Sequence, residues 1–191
     1  MDGGGIAARS CLVVGAARSG KSAYAQALAE ADGRAPVYVA TAEVYDAEMR
    51  ARVEAHRAAR DGRWRTAEAP LDLGEALARL CAPEAIVLVD CLTLWLTNVM
   101  LGGRDVEAAG RDLAAAVPGL AGPVIFVSNE VGAGIVPDNR LARDFRDAQG
   151  RLNQAVAQAC DAVVLVSAGL PLVLKPAAPP RLRFPPGPLS G

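Results

Sequence analysis

Aromatic residues make up only 4% of the chain, so the core it builds is aliphatic, drawn from an apolar fraction of 52%. No apolar run approaches the roughly 20 residues a membrane span needs, and Met1 to Arg9 lacks the hydrophobic stretch of a secretion signal. An integral membrane segment is therefore not expected. The cysteines, at positions 11, 81, 91 and 160, show no C-x-x-C spacing. That argues against structural zinc and a disulfide framework, and points to a reduced, cytoplasmic protein. A dominant charge of one sign is also missing. The net charge of −1 offers no footprint for nucleic acid or an anionic membrane surface. Histidine occurs once, as His56, and lysine twice, as Lys21 and Lys175, against eighteen arginines.

One of those two lysines stands in the most informative stretch of the sequence. Gly15-Ala16-Ala17-Arg18-Ser19-Gly20-Lys21-Ser22 reads G-x-x-x-x-G-K-S, the phosphate-binding P-loop pattern. The apolar, β-branched Cys11-Leu12-Val13-Val14 precedes it as a buried strand, and the helix formers from Ala23 to Glu30 follow it. A strand, a glycine turn and a helix N-terminus converge backbone N–H groups on one point at the positive end of a helix dipole, which favours an anion. Lys21 would reach the β- and γ-phosphates and the Ser22 hydroxyl would ligate Mg²⁺. A chain that otherwise uses arginine keeps a compact ammonium where the loop needs one.

Further strands are expected at Val37–Ala40, Ile86–Asp90, Val124–Ser128 and Val163–Val166, with a short last one at Leu172–Leu174. Helices are expected at Asp46–Arg60, with Asp46 as N-cap, and at Leu71–Leu80, Leu92–Leu101, Val106–Val117 and Asp138–Cys160. In the last of these Leu141, Phe145, Leu152 and Val156 recur at helical spacing, and Gly150 is a candidate kink or break. Continuous apolar strands alternating with helices predict an α/β fold, a mostly parallel sheet with helices on both faces. With the P-loop this is a P-loop NTPase of RecA-like type. Residues 1–10 are Gly-rich and expected to be flexible, 11–175 form a single nucleotide-binding catalytic domain, and 176–191, with six prolines, form an extended tail.

In such sheets ligands sit beyond the carboxyl ends of the strands. The strand exits give the P-loop, then Ala40-Thr41-Ala42 with Glu43, then Asp90, then Ser128-Asn129-Glu130. An apolar run ending in Asp90 after a P-loop is the Walker B arrangement, in which the carboxylate holds Mg²⁺ directly or through water; a solvated strand end is the plainer alternative. Arg52, His56 and Arg60 share one face of the expected 46–60 helix. Guanidinium neighbours would keep the imidazole neutral and nucleophilic, although a solvated basic face accounts for the same pattern. The loop Asn129–Pro137, with Gly132 and Gly134, either binds something at the rim or is a permissive connector. By these residues alone, a monofunctional P-loop kinase of a small alcohol and a RecA-type ATPase switch module both stay open.

The chain resembles the bifunctional adenosylcobinamide kinase/adenosylcobinamide-phosphate guanylyltransferase family of cobalamin biosynthesis. The family's G-G-A-R-S-G-K-S stands here as Gly15 to Ser22, its Y-(I/V)-A-T-A as Tyr38 to Ala42, and its D-x-E-M as Asp46 to Met49. R-(I/V)-x-x-H-(K/R) stands as Arg52 to Arg57, W-R-T-x-E as Trp64 to Glu68, and V-(D/E)-C-(L/I)-T as Val89 to Thr93. N-E-V-G-x-G-I-V-P spans Asn129 to Pro137, and Asn139-Arg140 follow. Ala16 departs from the family's usual second glycine, which bears on affinity.

The resemblance implies phosphorylation of adenosylcobinamide by ATP or GTP. It implies next the transfer of GMP from GTP to the product through a GMP-histidine, for which His56 matches the family position, with pyrophosphate released and adenosyl-GDP-cobinamide formed. It implies nucleotide contacts at Gly15, Ala16, Ala17, Arg18, Ser19, Gly20, Lys21, Ser22, Ala40, Thr41, Ala42, Arg57, Ala58, Ala59, Arg60, Glu68 and Asp90, with Mg²⁺ at Ser22 and Asp90. It also implies a homo-oligomer, a trimer.

Overall fold

The computed structural model describes residues 7–43 and 61–176. Within them one sheet of seven strands organises the chain. The strands are β1 (Ser10–Gly15), β2 (Ala35–Ala40), β3 (Arg65–Glu68), β4 (Ala85–Asp90), β5 (Val124–Asn129), β6 (Ala162–Ser167) and β7 (Leu170–Lys175), in the spatial order β3-β2-β4-β5-β1-β6-β7. Every neighbouring pair is parallel except β6 and β7. The helices are α1 (Lys21–Asp32), α2 (Leu73–Leu80), α3 (Leu92–Leu101), α4 (Val106–Ala116) and α5 (Arg140–Ala159). The expected helix at 46–60 and the tail at 177–191 lie outside the described residues.

The period-two alternation of a strand divides the core in two. Leu12, Val14, Val37, Val39, Val87, Val89 and Phe126 face the side covered by α2, α3, α4 and α5, through Leu77, Leu96, Leu113, Leu152 and Val156. Cys11, Val13, Ile86, Leu88, Ile125, Val127 and Val164 face the other side, against Ala25 and Ala29 of α1. Those two alanines, with no exposed surface, let α1 lie close on the sheet, as the helix after a P-loop must. Trp64 adds to this second side. Its indole N–H donates to Glu30 of α1 at 3.1 Å and its ring meets Tyr38 edge-on at 6.4 Å. The helix and edge strand are thereby tied together.

Four expectations change. First, the structure adds β3: Arg65-Thr66-Ala67-Glu68 is mostly exposed and among the described strands pairs with β2 alone, so it is a short polar edge without the apolar run that marks an interior strand. Second, α5 runs unbroken through Gly150 for 20 residues. Gln149, Leu152, Asn153 and Val156 are all buried around that position, and their packing outweighs the roughly 1 kcal/mol a mid-helix glycine costs. Leu141, in the first turn of the same helix, is 57% exposed rather than core. Third, β7 has six residues, not three. Fourth, β1 begins at Ser10 rather than Cys11. The Arg9 and Ser10 backbone N–H groups donate to the Asp161 carboxylate at 2.8 and 3.0 Å, which ties the start of β1 to the start of β6.

Candidate active site at the carboxyl rim of the sheet

The P-loop leaves β1 at Gly15 and turns into α1 at Lys21. Its shape depends on two glycines. A Cβ on Gly15 would lie 2.5 Å from both the Ser19 hydroxyl and the Val166 carbonyl oxygen, so no side chain fits there. Gly20 has φ +94°, a left-handed conformation, and a Cβ there would meet Gly169 Cα at 3.1 Å. The loop is wedged from behind by the β6–β7 turn, where the Gly169 N–H donates to the Ser19 carbonyl at 2.8 Å. Arg18 also takes a left-handed φ of 57°. Ala16, Ala17 and Arg18 are exposed, Ser22 is half-buried, and Lys21 is buried to 9% exposure.

Two features of this loop fit a phosphate group. The Lys21 ammonium folds back to donate to the Ala16 carbonyl at 3.2 Å, a weak local partner that an anion in the loop would replace. The Ser19 hydroxyl is buried without a hydrogen-bond partner among the described residues, and buried polar groups are seldom left so. Together with the glycine cradle, these make the loop a fit receptor for nucleotide phosphates.

The other expected residues line up along the same rim. Register pairs Ala40 with Glu68 on one side and with Asp90 on the other, while Asp90 pairs with Val127 and Asn129 with Gly15. Glu68, Ala40, Asp90 and Gly15 thus end neighbouring or next-neighbouring strands, with Asp90 and Gly15 roughly 10 Å apart laterally by strand spacing. Cys91 senses both ends of that gap. Burial first, and then the Asp90 carboxylate, push its thiol up to about 11, while the Lys21 ammonium pulls the other way. A thiol so raised is no nucleophile near neutral pH. The remaining cysteines are likewise free and buried, raised by burial to about 11 at Cys11 and Cys81 and about 12 at Cys160. Ser22 and Asp90 offer hard oxygen donors of the kind Mg²⁺ takes alongside phosphates.

Thr41 also has a structural part at this rim. Its side chain, with no exposed surface, donates to the Cys91 carbonyl at 2.7 Å and accepts from the Cys91 N–H at 2.9 Å. Its own carbonyl accepts from Asn98 at 2.8 Å. The hydroxyl therefore clamps the exits of β2 and β4 together and is engaged on both counts. It positions Ala40 and Ala42 beside it, and Asp90 beside Cys91. His56, Arg52 and the stretch Arg57-Ala58-Ala59-Arg60 lie outside the described residues.

A buried polar network beneath the β5 exit was missed by sequence reasoning. Ser128 Oγ donates to Asn153 Oδ1 at 2.6 Å, and Gln149 Nε2 donates to both Ser128 Oγ and Asn153 Oδ1 at 3.0 Å. Asn153 Nδ2 in turn donates to the Asn129 carbonyl and to Glu130 Oε1, each at 3.1 Å. Thr93 Oγ1 accepts from both the backbone and side-chain nitrogens of Asn129, at 3.1 and 3.0 Å. The available signal was Gln149 and Asn153, polar residues four apart on the same helix face as Leu152 and Val156.

A family model described as cobinamide kinase / cobinamide phosphate guanyltransferase matches residues 11–174. The chain is 44% identical over 166 residues to a bifunctional adenosylcobalamin biosynthesis protein CobP of Pseudomonas aeruginosa, covering 86% of this chain and 96% of that one. It is 42% identical over 181 residues to a bifunctional adenosylcobalamin biosynthesis protein CobU of Salmonella typhimurium, covering 86% and 98%. Among solved structures, the RadB recombinase superposes with a TM-score of 0.52 at 16% identity, over 85% of this chain and 76% of that one. That likeness concerns the fold alone and agrees with a RecA-like P-loop NTPase.

Proposed function

This chain belongs to the cobinamide kinase / cobinamide phosphate guanyltransferase family, and on that footing we propose that it carries out both reactions on adenosylcobinamide. The observation that carries the reading is the run of family motifs from Gly15 to Pro137, in order, inside the matched span. The kinase step moves the γ-phosphoryl group of ATP or GTP to the aminopropanol hydroxyl of adenosylcobinamide. The P-loop N–H groups and Lys21 hold the β- and γ-phosphates and gather the charge that develops on them. Ser22 and Asp90 would hold Mg²⁺, which when bound would supply charge neutralisation to the same phosphates.

The second step joins two anions, so direct attack is opposed by their repulsion. We assign the first attack to His56. The imidazole nitrogen forms a bond to the α-phosphorus of GTP, the bond to the β-phosphate oxygen breaks, and pyrophosphate leaves. An oxygen of adenosylcobinamide phosphate then attacks the same phosphorus, the P–N bond breaks and His56 is restored. Splitting one transfer into two lowers each barrier. Arg52, Arg57 and Arg60, close in sequence to His56, suit the α-phosphate by bidentate hydrogen bonding. The backbone of Ala40 to Ala42, with Glu68, suits the guanosine. The working form is a homo-oligomer, a trimer, which light scattering of the purified protein checks.

The test is incubation with Mg-GTP and no corrinoid. An adduct of GMP on His56, labile to acid and stable to alkali, is expected together with pyrophosphate release, and His56→Ala is expected to abolish both while retaining phosphorylation of adenosylcobinamide. An adduct mapped elsewhere, or normal GMP transfer by the alanine variant, would show the mechanism to be wrong.

A further inference from the structure

We propose that Glu130 is a catalytic residue of the kinase step, taking the proton of the acceptor hydroxyl as that oxygen attacks the γ-phosphorus. The proposal rests on the kinase reading above and adds to it the group that receives the proton. Its first support is position. β5 lies between β1, which carries the P-loop, and β4, which carries Asp90. Asn129 ends β5 in register with Gly15, and the next residue, Glu130, donates its N–H to the Gly15 carbonyl at 3.1 Å. Glu130 therefore enters the rim directly beside the first residue of the P-loop, on the side toward Asp90.

The second support is how the carboxylate is held. A glutamate on an exposed glycine-containing loop ordinarily has its side chain free in solvent. Here Oε1 is fixed by Asn153 Nδ2 at 3.1 Å, and Asn153 is itself 6% exposed. The orientation of that amide is forced. The Asn129 carbonyl and the Glu130 carboxylate are both acceptors only, so the NH₂ must face them. Asn153 Oδ1 then turns inward to take the Ser128 hydroxyl and Gln149 Nε2. Gln149 must in its turn present NH₂, and its Oε1 is left buried with no partner among the described residues. A core that leaves one amide oxygen unsatisfied in order to aim the next amide outward is ordered for what lies at the end of the chain of hydrogen bonds, and that is the Glu130 carboxylate.

The third support is chemical. Among the described residues the one partner of Oε1 is a neutral amide, which orients the carboxylate without supplying a positive charge. Among the described residues Oε2 has no hydrogen-bond or ion-pair partner, so it is available to a substrate hydroxyl. In the step, the hydroxyl oxygen bonds to the γ-phosphorus and its proton passes to Glu130. The bond from that phosphorus to the β-phosphate oxygen breaks, and the nucleoside diphosphate leaves with the electron pair. Asn153, Gln149 and Ser128 are positioning residues, acting through Glu130.

The experiment compares wild type, Glu130→Gln and Glu130→Ala, each checked for an unchanged melting temperature since Glu130 is exposed. Phosphorylation of adenosylcobinamide and GMP transfer onto separately supplied adenosylcobinamide phosphate are measured in parallel. General-base removal typically costs 10²–10⁴, so kcat for phosphorylation in Glu130→Gln is expected to fall by about 10² or more, with KM for the nucleotide within about threefold. GMP transfer, which does not use this proton, is expected to fall by less than about tenfold. Added formate is expected to restore part of the kinase rate to Glu130→Ala, a rescue that a merely structural role would not give. A kinase rate in Glu130→Gln within about threefold of wild type, a parallel fall of both activities, or no rescue by formate would overturn the proposal while leaving the bifunctional reading in place. Wild-type protein that phosphorylates no adenosylcobinamide would overturn both.

Discussion

The two lysines separate function from stability at the scale of single side chains. Lys21 points into the P-loop and, among the described residues, donates only to the Ala16 carbonyl at 3.2 Å, so its ammonium is held for a ligand. Lys175 ends β7 and donates to the Ala157, Gln158 and Cys160 carbonyls, the first two at 3.1 and 3.0 Å. Those are unsatisfied acceptors at the C-terminus of α5, where a cation also meets the negative end of the helix dipole. Opposite outcomes follow from truncating the two side chains. Lys21→Ala is expected to lose about 10²–10³ in kinase rate, the usual cost of one well-placed electrostatic donor, with little change in melting temperature. Lys175→Ala is expected to keep both activities and to lose about 1–2 kcal/mol of stability through its charge-assisted hydrogen bonds. Thermal melts and steady-state kinetics on the same two preparations check the pair, and a Lys21→Ala protein with wild-type turnover would remove the P-loop from the mechanism.

At the scale of elements, what the sequence reveals is what is buried on both faces. β1, β4, β5 and β6 are central, read as unbroken apolar runs, and lie within a residue or two of their expected ends. Helix α3, Leu92–Leu101, has the expected bounds because Gly102 and Gly103 stop it. The edge strand β3 is illegible for the converse reason, since its residues are chosen for exposure and carry no alternation. At the rim the P-loop and Asp90 are legible because their chemistry fixes a local pattern. The Thr41 clamp on Cys91 and the link from Asn153 to Glu130 are not, because each joins residues more than 20 positions apart through side chains whose types say nothing of their partners. The tie between Asp161 and the start of β1 is of the same long-range kind, and it predicts a pH dependence. The Arg9 N–H, and the Ser10 side chain and N–H behind it, hold the Asp161 carboxyl below its ordinary 3.8, against a smaller cost of burial. A carboxyl lowered by folding stabilises the fold while ionised. That contribution is fully present above 3.8 and is lost as pH falls through the lower folded value. Asp161→Asn is therefore expected to lower the melting temperature at pH 7 by an amount equivalent to about 1 kcal/mol or less, since the side chain is exposed and screened. The gap from wild type should close as pH is lowered below that range. A gap that persists or widens in acid would mean that charge is not what joins the two strands.

For the molecule as a whole, the sheet is covered unequally by the described helices, with four on the side of Leu77 and Phe126 and α1 alone on the other. On that second side a groove of about 410 Å³ runs between α1 and the starts of the strands, lined by Cys11, Tyr24, Leu28, Ile125, Val164 and Val173. β7 closes this end of the sheet with Leu170, Leu172 and Leu174 exposed. Residues 177–191 follow directly, and the question they pose is whether the fold leans on them. β7 is already secured without them, by its antiparallel pairing with β6 and by Lys175 on the end of α5. The nucleotide rim lies at the carboxyl ends of the parallel strands, whereas the groove begins at Arg9 and Ser10, at the opposite end of β1. A chain ending at Lys175 is accordingly expected to fold, to keep phosphorylation and GMP transfer, and to melt within about 2 °C of the full chain, the equivalent of under about 1 kcal/mol at this size. Burying even one of the exposed leucines would contribute roughly 1.5–3 kcal/mol, several degrees on the same scale. Differential scanning calorimetry of the two chains decides between these. A drop of that larger size would assign residues 177–191 to the apolar edge at β7 and would make the tail part of the domain.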